Sequence, residues 1–206
     1  FGNRFDTNNY AKANGLSVQM VARELRYAWF AQLMQSQGFD CTATAHHAND
    51  NTETVLLNLA KGAGIDGLTG IEPRNGKIIR PLLFASRAQI EEHAAEIQLA
   101  WREDVSNAAI EYERNKIRHT VIPTLEQINP ALQNAIARST EKLKGVEHFA
   151  AAGLAHWQNV YVSEVSGQIL ISKNGLHDLP ASALHHYLKT FGFNWDQCQQ
   201  IGRAHV

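Results

Sequence analysis

Between Leu16 and Gln37 the apolar residues Met20, Val21, Leu25, Trp29, Leu33 and Met34 recur at three- and four-residue steps, and Gly38 follows. That spacing predicts an amphipathic helix lying on a core and stopped by the glycine. Phe39 to Ala45 is then a short strand-like run, and Glu53 to Ala60 carries Val55, Leu56 and Leu59 at helical spacing. Helix, strand and helix in that order predict one layer of an α/β sheet. Past a glycine-rich loop, Lys61 to Gly70, the residues Ile78 to Arg80 read as a strand stopped by Pro81, because proline cannot donate to a ladder. Ser86 to Leu99 is predicted helical, with Ser86 as N-cap and Ile90, Ala94 and Ile97 on one face. A link dense in charge, Trp101 to Pro123, contains a further short helix around Ile110 to His119.

Beyond this point the pattern changes. Pro130 to Trp157 is one long helical stretch with Leu132, Ile136, Leu143, Val146, Ala150, Leu154 and Trp157 along a stripe that needs a partner. Val160 to Ser172 alternates like a hairpin turning at Ser166-Gly167, and Ala181 to Phe191 is again helical. A boundary near Asn129-Pro130 divides the chain into an α/β domain, 1–129, and a smaller, mostly helical domain with one β-hairpin, 130–206. The sequence contains no internal repeat or low-complexity tract.

Composition narrows the class only slightly. The chain has 206 residues, 44% of them hydrophobic, enough for one sizeable core or two small ones. Lys and Arg total 19 against 20 Asp and Glu, a net charge of -1, so no global field gathers a polyanion and any nucleic-acid contact must come from local patches. Cys41 and Cys198 stand far apart, which argues against a zinc knuckle, an iron-sulfur centre or a disulfide framework and for a reduced, cytoplasmic setting. No apolar run reaches the roughly 18 residues that a bilayer span needs, and no signal-peptide pattern opens the chain. The first residue is Phe1 and the opening FGNRFDT starts in mid-phrase, so the expectation is a piece of something longer.

Candidate chemistry concentrates in TAHHANDNTET, Thr44 to Thr54. Asp50 and Glu53 are three residues apart in the first turn of a helix, and two readings stay open. One is a capping-box-like Asp50-x-x-Glu53 without chemistry, since carboxylates there meet orphan N–H groups and the positive end of the dipole. The other is a ligand crevice at the carboxyl end of a strand, where both carboxylates hold Mg²⁺ near phosphates or bind an amine, and His46 orients them or exchanges a proton. Zinc is disfavoured, because the adjacent His46 and His47 point to opposite sides of a strand. Gly62-Ala63-Gly64-Ile65-Asp66-Gly67 spells G-x-G-x-x-G, but it follows a helix, so the dinucleotide fingerprint fails on context. A loop whose bare backbone approaches a phosphate, or a flexible connection, remains. Arg23 with Arg26, and Arg114 with Arg118, each share a helical face. They are either solvated surface paired with Glu24, Glu111 or Glu113, or phosphate-neutralising forks.

Taken together, TAHHANDNTET, LLNLAKGAGIDGLTGI, IIRPLLFASRAQI and EDVSNAAIEYERNKIRHTVIPTLEQINP, with ARELRYAWF ahead of them, resemble the tRNA(Ile)-lysidine synthase family of the PP-loop (N-type) ATP pyrophosphatase superfamily. The similarity covers about Phe5 to Pro130; the remainder is similar only in type, to that family's middle helical domain. The resemblance implies an incomplete adenine nucleotide alpha hydrolase-like domain, Rossmann-like with a parallel sheet, before the helical domain. It implies a ligase that uses ATP to adenylate the C2 oxygen of the wobble cytidine of tRNA(Ile), releasing pyrophosphate, after which the side-chain amine of L-lysine displaces AMP. His46, Asp50, Glu53 and Arg118 are then expected in the active site, with Asp50 as an Mg²⁺ ligand, and Arg26, Gly62, Gly64 and Arg114 near ATP or the activated intermediate. ATP, Mg²⁺, L-lysine and tRNA(Ile) are the implied cofactors and partners, and a homodimer is compatible.

The family's Ser-Gly-Gly-x-Asp-Ser loop does not occur in these residues. A missing start is the expected reason, and a chain that truly began at Phe1 is predicted to release no pyrophosphate. The family's C-terminal tRNA-binding domain is likewise expected to be truncated or absent after Val206. Three alternatives compete: a tRNA thiolation enzyme of the same superfamily, which would need paired cysteines; a metal-dependent phosphohydrolase, for which His-His followed by Asp can begin a two-metal site; and a non-catalytic tRNA-binding module.

Overall fold

Local capping signals set several helix ends in the computed structural model, which describes residues 1–101 and 113–203. Helix α1, Thr7–Asn14, starts where the Asp6 carboxylate accepts the Asn9 N–H and stops at Gly15. Helix α2, Val18–Gln37, starts at Ser17, whose hydroxyl accepts the Met20 N–H, and ends at Gly38 with a left-handed φ of 71°. Val21 is fully buried and Leu25, Trp29, Leu33 and Met34 are half-buried. Met20 departs from the predicted stripe and is exposed, because it lies in the first turn, ahead of the buried face.

The sheet is small and mixed. Strands β1, Thr42–Ala43, β2, Arg74–Asn75, and β3, Ile78–Ile79, pair in the order β1-β3-β2. Thr42 and Ala43 run parallel to Ile78 and Ile79, and Arg74 and Asn75 run antiparallel to them. The parallel sheet expected is therefore met by one strand pair, while β2 adds a tight hairpin. The predicted strands shrink to two residues each. Beyond Ile79 the Arg80 N–H turns to the Pro73 carbonyl, 2.8 Å away, and Pro81 ends the ladder.

Helix α3, Ala48–Ala60, begins earlier than the predicted Glu53, for a specific reason. His47 is the N-cap and Asp50 occupies the third helical position, where its carboxylate accepts the His47 N–H at 3.0 Å. The box that starts this helix is thus His47 with Asp50, not Asp50 with Glu53, and Glu53 is left for other partners. The glycine loop contains a one-turn helix, α4, Ile65–Leu68. Helix α5, Arg87–Glu96, is capped reciprocally: Ser86 accepts the Gln89 N–H and Gln89 accepts the Ser86 N–H. It ends before the predicted Leu99, since Gln98 takes a φ of 53°, and Ile97 and Leu99 are exposed, not packed.

Helix α6, Glu113–Lys116, runs through a wide π turn, Ile117–Val121, into helix α7, Ile122–Ile128. Pro123 explains the wide turn, because it lacks the N–H that would bond four residues back and its ring crowds that carbonyl. The Thr124 hydroxyl donates to the Thr120 carbonyl in the same stretch, at 2.8 Å. Residues 102–112 of the charged link, including Glu111 and the first positions of the predicted Ile110–His119 helix, lie outside the described residues.

The chain divides into two units, Phe1–Ala137 and Arg138–Val206. The division falls inside helix α8, Leu132–Tyr161, and not at Asn129-Pro130. In the second unit, strands β4, Val162–Val165, and β5, Gln168–Ile171, form the predicted hairpin. Ser166 and Gly167 both take positive φ, 53° and 75°, as a primed turn requires. Helices α9, Lys173–Asp178, α10, Ala181–Leu188, and α11, Trp195–Arg203, complete it, with a 3₁₀ turn at Lys189–Phe191. Trp157, Leu184, Tyr187, Leu188 and Cys198 form its apolar core, with Leu154 and Ile171 packed against them. The α8 stripe is partly realised: Leu154 and Trp157 reach this core, whereas Val146 stays 55% exposed.

Candidate active site

The carboxyl end of β1 runs directly into α3, and this junction sets the site. Thr44 lies 2.9 Å from His46, hydroxyl oxygen to Nδ1, and orients that ring. The two histidines diverge: His46 lines an open cavity, whereas His47 caps α3 with its Nε2 3.5 Å from an Asp50 oxygen. Asp50 lines the same cavity, with Oδ2 accepting the His47 N–H and Oδ1 4.0 Å from the Arg118 guanidinium.

Glu53 lies deeper, 1% exposed. Arg118 grips it with two parallel bonds, Nε to Oε1 at 2.6 Å and Nη2 to Oε2 at 3.0 Å. Arg114 adds Nε to Oε2 at 3.0 Å and spends Nη2 on the Asp50 carbonyl and the Thr54 hydroxyl. The Arg118 fork and the single Arg114 N–H together occupy three of the carboxylate's roughly four acceptor positions. Surface pairing of Arg114 with Glu113 does not occur, since Glu113 bonds Lys61.

Charge shifts follow from this packing. The hydrogen bonds to Glu53 hold the Arg118 proton above the usual guanidinium range, against the opposing effect of burial. Burial pushes the His46 imidazole below its ordinary value, and the cations Arg80, Arg114 and Arg23 add to that while Asp50 opposes it. His46 is therefore a neutral imidazole at neutral pH.

The cavity above this cluster encloses about 390 Å³, and Arg23, Arg26 and Arg114 bring three guanidiniums to it beside Tyr27 and Phe30. Arg23 also stacks over the Tyr27 ring, 4.9 Å from its centroid. A second cavity of about 370 Å³ shares Arg23, His46 and Arg114 and adds Gly70, Glu72 and Arg80. Such a cationic, partly aromatic basin suits a polyphosphate with a planar base. Among the described residues no three His, Cys, Asp or Glu side chains gather as a metal-holding group. Mg²⁺ fits only as an ion taking one Asp50 oxygen together with phosphate oxygens and water, its common mode.

Of the residues singled out from sequence, His46, Asp50, Arg26 and Arg114 line one cavity, and Glu53 and Arg118 lie against them. Gly62 and Gly64 line neither of these cavities: Gly62 follows the end of α3 with a φ of 74° and Gly64 precedes α4. Two other glycines of this loop are under demand: a Cβ on Gly67 would collide with the Ala63 side chain, and at Gly70, where φ is 80°, it would collide with the Asn51 amide oxygen, itself bonded to the Ile71 N–H at 2.7 Å. Sequence reasoning missed Thr44, Tyr27 and Arg80. Thr44 was readable as the last residue before the strand's carboxyl end, and Tyr27 as the residue four beyond Arg23; nothing local marks Arg80.

The sequence profile of the PP-loop domain family matches residues 3–125. A curated tRNA(Ile)-lysidine synthase of Porphyromonas gingivalis is 39% identical over 201 residues, 97% of this chain. The chain belongs to the PP-loop domain family. Further relatives named tRNA(Ile)-lysidine synthase are that of Parabacteroides distasonis, 43% identical over 92% of this chain, and that of Bacillus subtilis, 36% identical over 83%. The chain spans 44% of the length of the Porphyromonas gingivalis protein and 43% of the Parabacteroides distasonis one. Membership in the PP-loop group implies a Rossmann-like α/β fold for the matched region, in which the described strands are short and helices predominate.

Proposed function

We propose that this chain carries part of the site that joins L-lysine to the wobble cytidine of tRNA(Ile) in an ATP-dependent reaction giving lysidine. The observation that carries the proposal is the double anchoring of Arg114 and Arg118 on buried Glu53, directly beneath a cavity where Arg23, Arg26, Asp50 and neutral His46 converge. ATP supplies the adenylyl group and the pyrophosphate leaving group. The cytidine C2 oxygen bonds to the α-phosphorus as pyrophosphate leaves, and then the lysine amine nitrogen bonds to C2 as AMP leaves with that oxygen.

In this scheme the guanidiniums of Arg23, Arg26 and Arg114 meet phosphate charge and stabilise what develops on the leaving group. Asp50 offers its Oδ1 to a cation, either Mg²⁺ beside the phosphates or the lysine ammonium. An ammonium is not a nucleophile until it loses a proton. In the tautomer that donates Nδ1–H to the Thr44 oxygen, neutral His46 presents Nε2 as the acceptor of that proton. Glu53 does not touch substrate; it positions both arginines, since its oxygens are already engaged. The cytoplasm is the proposed setting, and no helix among the described residues is long and apolar enough to cross a membrane. A homodimer is part of the proposal and is tested by light scattering.

The test is formation of lysidine from tRNA(Ile), ATP and lysine, read by mass spectrometry of the tRNA nucleosides. It is run on the 206-residue chain and on a longer form with a Ser-Gly-Gly-x-Asp-Ser loop ahead of Phe1. The longer form is expected to be active and the shorter to release no pyrophosphate. Asp50→Asn and Arg118→Ala in the longer form are expected to abolish the reaction with circular dichroism unchanged; activity retained in both sinks the residue assignment. A thiolation reaction would call for paired cysteines, but Cys41 is exposed, and Cys198 is buried in the second unit with its thiol pKa pushed up by that burial.

A further inference from the structure

A third cavity of about 470 Å³ opens on the other side of the first turn of α3, among Asn49, Ser86, Gln89, Glu126, Gln133 and Asn134. All six residues belong to the first unit. Its chemistry differs from that of the arginine-lined cavities. Its described lining has no basic side chain, so it is no phosphate site; it offers carboxamides and one carboxylate. Part of that polarity is committed. Asn49 accepts the Arg87 N–H through Oδ1, at 2.9 Å, and Ser86 and Gln89 bond each other in the α5 cap. The Asn49 amide donors, the Gln89 amide donors and the Glu126 carboxylate are not used by those bonds.

Carboxamides and a carboxylate facing a cleft are the groups that read nucleobase edges, amides pairing with adenine or accepting and donating elsewhere, and carboxylates accepting from an exocyclic amine. Two further observations favour an RNA base over a free small molecule. Asn49 and Asp50 are consecutive on α3, so one turn of that helix contributes a residue to each cavity. Two residues before Ser86, on the tight turn after β3, Phe84 stands 85% exposed, a ring of the kind on which unpaired bases stack.

We propose that the carboxamide-lined cavity formed by Asn49, Gln89, Glu126, Gln133 and Asn134, with Phe84 at its approach, binds an unpaired nucleobase of the RNA next to the nucleoside that reacts. This rests on the proposed tRNA substrate. It adds a second, non-reacting base site that fixes which cytidine of a loop enters the arginine-lined cavity. Position in the loop is then read by hydrogen bonds to the neighbouring base, and phosphate charge contributes nothing at this cleft.

The experiment measures binding of the chain to the anticodon stem-loop of tRNA(Ile), as intact RNA and as a series with one abasic position at a time through the loop. Removing the recognised base is expected to weaken binding by about tenfold at one position beside the wobble nucleotide, the scale of a good base-edge contact. Glu126→Gln combined with Gln133→Ala, and separately Asn49→Asp, which keeps the acceptor for Arg87, are expected to erase that difference while weakening the intact loop to the same degree. Thermal unfolding of each variant checks that the fold is kept. Additive effects at every loop position, a protein whose variants bind like the parent, or no binding of the stem-loop at all would each overturn the inference. Lysidine formation assayed in parallel on the longer form that carries the Ser-Gly-Gly-x-Asp-Ser loop separates the two readings: activity without any base-dependent difference in binding removes this base site alone, and that difference without activity leaves the base site standing while the proposed reaction falls.

Discussion

The buried centre of the Phe1–Ala137 unit is a carboxylate under two guanidiniums, whereas that of the Arg138–Val206 unit is an apolar cluster around Trp157. The first is held by directional bonds among residues 61 to 65 positions apart in sequence, and the fully buried Glu53 and Thr52 are polar. The second is held by burial of apolar area, within which the Trp157 indole N–H donates to the Gly175 carbonyl at 2.9 Å. Burial of apolar surface tolerates repacking, while a charged centre fixes geometry and fails when one partner is removed. The unit with the charged centre is also the one in which arginines, a neutral imidazole and a carboxylate face an open cavity. A rigid charged frame there keeps guanidiniums aimed where phosphate would bind.

The strongest challenge to this contrast is Trp157→Ala. It should lower the unfolding free energy of the second unit by about 3–5 kcal/mol, the cost of emptying a large aromatic site. Urea unfolding followed by circular dichroism should show that loss in one transition while the first unit keeps its own; a single merged transition would mean that the two centres are not independent. Next is Glu53→Gln, which leaves two guanidiniums without their counter-charge. Because both arginines are partly exposed to water, the expected loss is about 2–3 kcal/mol, below the roughly 3–5 kcal/mol of a fully enclosed pair. Unchanged stability together with unchanged lysidine formation would show that Glu53 does not frame the site.

Gly70→Ala should cost about 1–3 kcal/mol, since φ is 80° and the new methyl would displace the Asn51 amide that holds Ile71. A wild-type melting temperature would contradict the geometry of that loop. His46 yields a pH test with a definite sign. Its folded pKa is depressed, so the unfolded chain binds the proton more readily. The stabilisation from keeping the ring neutral is complete above the ordinary imidazole value and is lost as pH falls through the lower folded value. Parent stability should therefore fall more steeply than that of His46→Gln on acidification in this range, and parallel curves would refute the assigned protonation state. The smallest expected change is a gain: Ser166→Asn, at a φ of 53° before Gly167, should stabilise the hairpin by about 0.5 kcal/mol, seen as a small rise in the second unit's melting temperature.

Legibility followed the distance over which each signal acts. The α2 boundaries at Ser17 and Gly38, the Ser86 cap and the Ser166-Gly167 turn were all readable, because capping and turn chemistry are decided within four residues. The start of α3 was misread by the same kind of signal. Both Asp50 and Glu53 could close a box, and the choice of His47 with Asp50 left Glu53 to the arginines of α6 and the π turn. The G-x-G-x-x-G letters pointed to Gly62 and Gly64, where a Cβ would meet nothing, while the crowded glycines are Gly67, against Ala63, and Gly70, against Asn51 on another element. The α8 stripe was continuous in sequence, but only its C-terminal part meets the elements that follow it.

By itself the sequence determined the α2 stop at Gly38, the Ser86 cap, the Ser166-Gly167 turn, the order of the chemistry-bearing segments and their resemblance to a PP-loop family, since each depends on neighbouring residues or on motif order. Only the tertiary structure decided that Arg114 and Arg118 share the Glu53 carboxylate, that His46 faces the cavity while His47 caps a helix, and that a carboxamide cleft lies one helix face away from Asp50. Those facts depend on which distant elements come into contact. Ion pairing and burial act through space, and no periodicity along the chain records them.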